Sequence, residues 1–237
     1  EALHQEMERD ETVFILGEDV AKMGGDFGIT RGIWLKWPHR AFDTALSEQA
    51  IIGLSNGAAL CGLKPVAELM FADFVTVCYD QLVNNAAKLS YMYNGEASAQ
   101  IVVRAVTRGG IRCAYHHSQC IEPWLMNIPG LVIVAPASAY DAKGLLISAI
   151  RNPNPVVFLE HKLLYNKKSE VPEELYEIEL FKARVEREGA DITMVAAMTM
   201  LDYARRAADE LEKEGISVEI INPLTLFHLD KETIIDS

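Results

Sequence analysis

The sequence predicts an α/β protein: a parallel sheet covered by helices on both faces, with the start of a second α/β unit behind it. Three observations carry that prediction. Short runs, apolar or nearly so, recur at 13–16, 101–105, 131–134 and 156–160, which is how strands buried on both faces read. Capped or helix-periodic stretches separate them. A polar segment, HKLLYNKKSEVPEELYEIEL at 161–180, then breaks the rhythm before strand and helix patterns resume.

Taken in order, the run at 13–16 closes on Gly17 as a buried strand, and Gly24, Gly25, Gly28 and Gly32 mark a surface loop. A short strand is expected at 41–43. SEQAIIGLSNGAALCG, from Ser47, reads as a helix with Ser47 as its N-cap. An extended run at 65–69 precedes a helix over 74–89, and strands follow at 101–105 and 131–134. Ser138 and Asp141 form a capping box that opens a helix through Ile150, before the strand at 156–160. These elements make a first domain over 1–165, a linker over 166–181 and a second unit over 182–237. In the second unit, 192–196 and 218–221 read as strands around a helical stripe of Leu201, Ala204, Ala208 and Leu211. A single strand–helix–strand repeat leaves apolar edges uncovered. Part of this second domain is therefore expected to be missing, and the opening on Glu1 without a methionine reads as a trimmed sequence.

Of 237 residues, 50% are hydrophobic and 24% charged, enough for a sizeable core. A net charge of −12 argues against nucleic-acid binding and against an anionic membrane surface. The apolar runs fall far short of the ~20 residues a membrane span needs. A soluble protein of the cytoplasm is expected, or of the mitochondrial matrix in a eukaryote. Cys61, Cys78, Cys113 and Cys120 include no CxxC pair and read as reduced thiols. No P-loop, G-x-S-x-G elbow or HExxH is present. His116 and His117, read on extended chain, point to opposite sides and lack a third ligand, so a metal site is not expected there.

Several strings stand in a definite order: LGEDV at 16–20, DTALSEQ at 43–49, ELMFADF at 68–74, DQLVNNAAK at 80–88, HHSQC at 116–120, PGLVIVAP at 129–136, DAKGLL at 141–146 and NPNPVVFLEHKLLY at 152–165. On these the chain resembles the β subunits of the thiamine-diphosphate-dependent first component of 2-oxo acid dehydrogenase complexes, over its whole length. Within them it is most similar to acetoin dehydrogenase β subunits, through RAV before the Gly-rich loop, VCYDQ after ELMFADF, and EHKLLY followed by EVPEELY. Pyruvate and branched-chain homologues share many of the strings and stay as alternative substrates. The resemblance implies a transketolase-like pyrimidine-binding fold for the first domain.

It also implies site residues. Glu48 matches the glutamate that hydrogen-bonds the cofactor's aminopyrimidine and favours the tautomer able to deprotonate the thiazolium carbon, general acid–base catalysis relayed through the cofactor. Taken alone, Glu48 is an ordinary first-turn carboxylate at a helix N-terminus. Leu46 and Phe74 match cofactor contacts and would otherwise count as core. Glu18 matches an acid near the cofactor channel, expected to hold a proton in a low-dielectric pocket. His117 matches the active-site histidine, while His116 replaces a residue that is commonly glutamine. The loop Thr107-Arg108-Gly109-Gly110 is less Gly-rich than usual. Ile101, Ala149, Ile150, Asn152 and Asn154 match positions where some members hold a structural potassium ion, although an aspartate is common where Asn152 stands.

The diphosphate and its Mg²⁺ are held in this cofactor class by a GDG…N motif, and GGDFG at 24–28 is not that motif. The resemblance assigns that role to an α subunit, in an α2β2 heterotetramer that cleaves a small-molecule substrate and serves a lipoyl-bearing acyltransferase. Two other classes are weighed: a non-catalytic assembly or binding module that keeps only the fold, and a hydrolase using Cys120 and His117. Against the last, Cys120 lacks an orienting partner and its apolar neighbours suit a buried thiol.

Overall fold

The computed structural model describes residues 1–237. In chain order, α1 (Ala2–Arg9), β1 (Val13–Gly17), α2 (Ile33–Lys36), β2 (Ala41–Asp43), α3 (Glu48–Leu60) and β3 (Lys64–Leu69) come first. They are followed by α4 (Leu89–Met92), β4 (Val102–Thr107), α5 (Glu122–Leu125), β5 (Val132–Val134), α6 (Ala139–Arg151) and β6 (Val156–His161). The second unit contributes β7 (Arg184–Arg187), β8 (Ile192–Val195), α7 (Met200–Glu212), β9 (Val218–Asn222), β10 (Thr225–Phe227) and α8 (Lys231–Asp236).

A seven-stranded sheet runs in the order β10-β5-β6-β4-β3-β1-β2. Side chains alternate along its strands, so each strand feeds two cores. Leu16, Leu69, Val103, Ile133 and Leu159 join Ile51 and Ile52 of α3 on one face. Ile15, Val66, Val102, Val134 and Phe158 join Leu3 and Met7 of α1 and Leu145 to Ile147 of α6 on the other. This is the expected sheet with helices on both faces, with one addition. β10 pairs antiparallel with β5, Thr225 opposite Val134. The chain turns back after β9 and seats Leu224 in the core, 2% exposed. A second sheet, β7-β9-β8, packs against α7 through Leu201, Ala204, Ala208, Val218 and Ile220.

Local chemistry explains where α3 and α6 begin. Ser47 caps α3 by accepting from the Ala50 N–H (3.3 Å), and Ser138 caps α6 by accepting from the Asp141 N–H (3.0 Å). Asp141 reaches back to the Ala137 N–H (3.2 Å) rather than to Ser138, and also accepts from Arg184 (2.7 Å), tying the second unit to the first. The helix expected over 74–89 is not continuous. It divides into a 3₁₀ helix at Ala72–Thr76, a π turn at Gln81–Asn85, a 3₁₀ turn at Ala86–Lys88 and α4. Asn85 Nδ2 donates to the Asp80 carbonyl, competing with the regular ladder where the helix widens, and Asn84 Nδ2 donates to the Asp80 carboxylate. No helix is long and apolar enough to cross a membrane.

Candidate cofactor site at the carboxyl edge of the sheet

The chain leaves β1 for β2 on one side and β3 for β4 on the other, while β1 and β3 lie side by side. That is a topological switch point, where connections diverge and a crevice opens beyond the carboxyl ends of the strands. Glu18 follows β1 there, and Phe71 to Phe74 follow β3. α3 begins at Glu48 and delivers its first turn to the same edge.

Glu48 is positioned by its helix. It shares a helical stripe with Ile51, Ile52 and Ser55, which are at most 1% exposed. Packing of that stripe turns Glu48 inward at the open end of the core, half-buried, while neighbouring Gln49 and Ala50 face solvent. Glu18 is buried, and its Oε1 has no hydrogen-bond partner. Burial first, and then the nearby Glu48 charge, push the Glu18 carboxyl above its ordinary range. Leu46, on the loop before α3, is 85% exposed and so makes no core contact.

Phe74 is half-buried and stands 5.4 Å, edge to face, from the His117 ring. Phe71, which sequence reasoning missed, packs 4.4 Å from His117 on another side. The Nδ1 atom of His117 is buried without a partner. His116 and His117 lie in a one-turn helix, Tyr115–His117, with ring centroids 4.5 Å apart. The expectation that they point to opposite sides fails, because the chain turns there: His116, at φ −89° and ψ 20°, is not extended. Asp73 and Lys162 were also missed, and both bond the main chain at 117–119. An acid inside the apolar string ELMFADF was the available signal for Asp73.

Beneath the site Arg104 of β4, 2% exposed, forks onto Glu160 of β6 (3.1 and 2.7 Å) and reaches Glu68 of β3 (2.6 Å). Tyr165 donates to Glu160 at 2.8 Å. Burial pushes the Glu68 carboxyl up even beside this guanidinium. Gly25, at φ +77°, crosses so close that a Cβ would stand 2.9 Å from Glu68 Oε1. The Gly-rich loop therefore lies on the network, and Phe27 packs against Tyr165 (5.1 Å).

The other expected positions gather elsewhere. Ile101, Ala149, Ile150, Asn152 and Asn154 meet at the amino edge of the sheet, away from Glu48. The Ile101, Ala149 and Ile150 carbonyls each accept one protein hydrogen bond, from the Val156 and Asn152 N–H groups and Gln100 Nε2. Each keeps a second lone pair. Asn152 Oδ1 accepts from the Asn154 N–H at 2.9 Å. All four cysteines are free. Cys120, expected to be buried, is exposed, and Cys78 is the buried thiol, pushed up to about 12 by burial and then by the Glu48 charge. A cavity of about 310 Å³ against α6, lined by Lys143, Glu160 and His161 among others, contains none of Glu18, Glu48, Phe74 or His117.

Comparison with known proteins agrees with this architecture. Residues 1–168 match the family described as transketolase, pyrimidine binding domain, and 181–237 match transketolase, C-terminal domain. The acetoin:2,6-dichlorophenolindophenol oxidoreductase subunit beta of Cupriavidus necator is 46% identical over the whole chain, which covers 73% of that relative. The chain belongs to the transketolase-like family of dehydrogenase β subunits. Within this β-subunit family, the 2-oxoisovalerate dehydrogenase subunit beta of Bacillus subtilis is also 46% identical, with the same coverage. A solved structure titled "Split gene transketolase, inactive beta4 tetramer" superposes with a TM-score of 0.77 at 25% identity, over 100% of this chain and 72% of that one.

Proposed function

We propose that this β subunit forms the pyrimidine-binding half of a thiamine-diphosphate site that cleaves the C–C bond of acetoin, and that Glu48 is its proton-handling carboxylate. An α subunit in an α2β2 assembly completes the site, holding the diphosphate and its Mg²⁺. The acyl unit passes to a lipoyl group on an acyltransferase. Pyruvate or a branched 2-oxo acid is the alternative substrate, releasing carbon dioxide where acetoin releases acetaldehyde. The observation that carries the reading is Glu48 turned inward at the switch point beside Glu18, with Phe74 and His117 after the neighbouring strands.

The residues fit an aminopyrimidine. Two buried polar atoms without protein partners, Glu18 Oε1 and His117 Nδ1, belong to this edge, and Phe74 offers it an aromatic face. Bound there, thiamine diphosphate would supply an acidic thiazolium carbon as the source of a carbon nucleophile. Glu48 would hold a proton toward the pyrimidine ring nitrogen and exchange it. Glu18, its carboxyl pushed up, stays protonated more readily and limits the negative charge beside Glu48. Phe71 and Phe74 exclude water, and His117 holds a proton toward a substrate oxygen. Leu46 lies free to meet the cofactor or the α subunit. The carbonyls near Ile101 and Ala149–Asn154 would hold a structural potassium ion through their remaining lone pairs.

Two measurements test this. By calorimetry, the chain alone is expected to bind thiamine diphosphate at least about 100-fold more weakly than the assembled pair, roughly 2.7 kcal/mol. Tight binding by the chain alone overturns the shared site. With an α-type partner, acetoin is expected to outrun pyruvate and branched 2-oxo acids in kcat/KM. The reverse order transfers the substrate assignment to a 2-oxo acid.

A further inference from the structure

The loop carrying His117 has little regular structure of its own. It leaves β4 with Arg108, Gly110, Arg112 and Ala114 all at positive φ, and its residues 110–117 are nowhere fully buried. Its base is closed by the Arg108 N–H donating to Gln119 O (3.0 Å) and the Thr107 hydroxyl donating to the same oxygen (3.2 Å). Between those ends a lone helical turn holds the histidine. Something outside the loop has to fix the imidazole.

Two buried charges do so. β4 lies between β3 and β6 in the sheet. From the turn after β3, Asp73 Oδ1 accepts from the Ser118 N–H (3.2 Å) and the Gln119 N–H (3.1 Å). From the end of β6, Lys162 Nζ donates to the His117 carbonyl. The two residues are 3% and 2% exposed. They form no direct ion pair; the loop's peptide groups lie between them. Lys162 Nζ also stands 4.8 Å over the Phe71 ring, the same ring that packs against His117. Burying an acid and a base is costly unless their hydrogen bonds return the loss. Here those bonds go to three successive residues of one loop.

We propose that Asp73 and Lys162 are positioning residues that clamp the main chain at 117–119 and so hold the His117 imidazole against Phe71 and Phe74. This rests on the reading of His117 as an active-site group. The flanking strands supply what the loop lacks: an acceptor for its free N–H groups on one side and a donor for its carbonyl on the other. Burial lowers the affinity of Lys162 for its proton, and the Asp73 charge opposes that loss.

The test is a double-mutant cycle in the chain assembled with its α-type partner. Lys162→Met is expected to lower kcat by at least about tenfold with KM within about twofold, as for an interaction made in the transition state. Lys162→Arg, which keeps a cationic donor, is expected to recover most of that activity. In a His117→Ala background, Lys162→Met is expected to cost nothing further, because the clamp has no histidine left to hold. Equal losses in both backgrounds, or unchanged kcat for Lys162→Met alone, overturn the proposal. If Lys162→Met does not assemble, the near-isosteric Asp73→Asn decides by the same cycle. Full activity of His117→Ala is a different result: it removes the role of His117 itself and leaves Glu48 untouched.

Discussion

Glu48→Gln is expected to lower turnover of the assembled enzyme by roughly 10²–10⁴-fold, the range for loss of a positioned acid–base group. The amide keeps the size and the hydrogen-bonding reach of the carboxylate but cannot exchange the proton. Ile51 and Ile52 remain buried below it and Ser47 still caps the helix, so the fold and the α–β assembly should be unaffected. A second readout comes from Glu18. The Glu48 charge is one of the causes that push the Glu18 carboxyl up. Removing that charge should therefore let Glu18 ionise at lower pH, observable by NMR titration. Near-normal turnover with intact assembly would remove Glu48 from the proton path. A lost assembly, seen by sedimentation, would instead mark it as an interface residue.

Arg104→Met is expected to destabilise the chain by about 3–5 kcal/mol, the usual cost of stranding buried carboxylates by deleting their cation. Glu160 and Glu68 lose all three guanidinium hydrogen bonds, and Tyr165 is left as the remaining donor to Glu160. At this size the loss corresponds to a fall in Tm of roughly 6–20 °C. Arg104→Lys should fall between, since an ammonium cannot fork onto one carboxylate while reaching a second. Adding Glu160→Gln to Arg104→Met should recover part of the loss by removing one stranded charge. A Tm within a degree or two of the parent would show that the network contributes nothing net, as well-packed apolar replacements of buried ion pairs sometimes do. The Gly-rich loop is a sensitive reporter, because Gly25 rests against Glu68 and Phe27 against Tyr165.

Much of the fold was legible in the residues. Runs such as 131–134 and 156–159 are apolar at every position because their strands bury both faces, so their class and direction could be read directly. Ser47 and Ser138 mark helix starts for a local reason, a hydroxyl that meets an N–H three residues on. The helix over 74–89 was over-read, since a side-chain bond from Asn85 to the Asp80 carbonyl interrupts a pattern that periodicity alone continues. β10 left no clear sign: its three residues pair with a strand about ninety positions earlier, and nothing local encodes that.

The candidate site divides in the same way. By itself the sequence determined the order of the strings, the family they resemble, and the lack of a phosphate-gripping motif, because these depend on residue identity and spacing. Only the tertiary structure decided that Glu48 faces inward beside Glu18, that Phe71 and Phe74 flank His117, and that two buried charges from neighbouring strands grip its loop. The physical reason is that a parallel sheet brings the ends of β1, β3, β4 and β6 to one edge. Residues as distant as Glu18, Asp73, His117 and Lys162 become neighbours there through crossovers, and no spacing along the chain records that meeting.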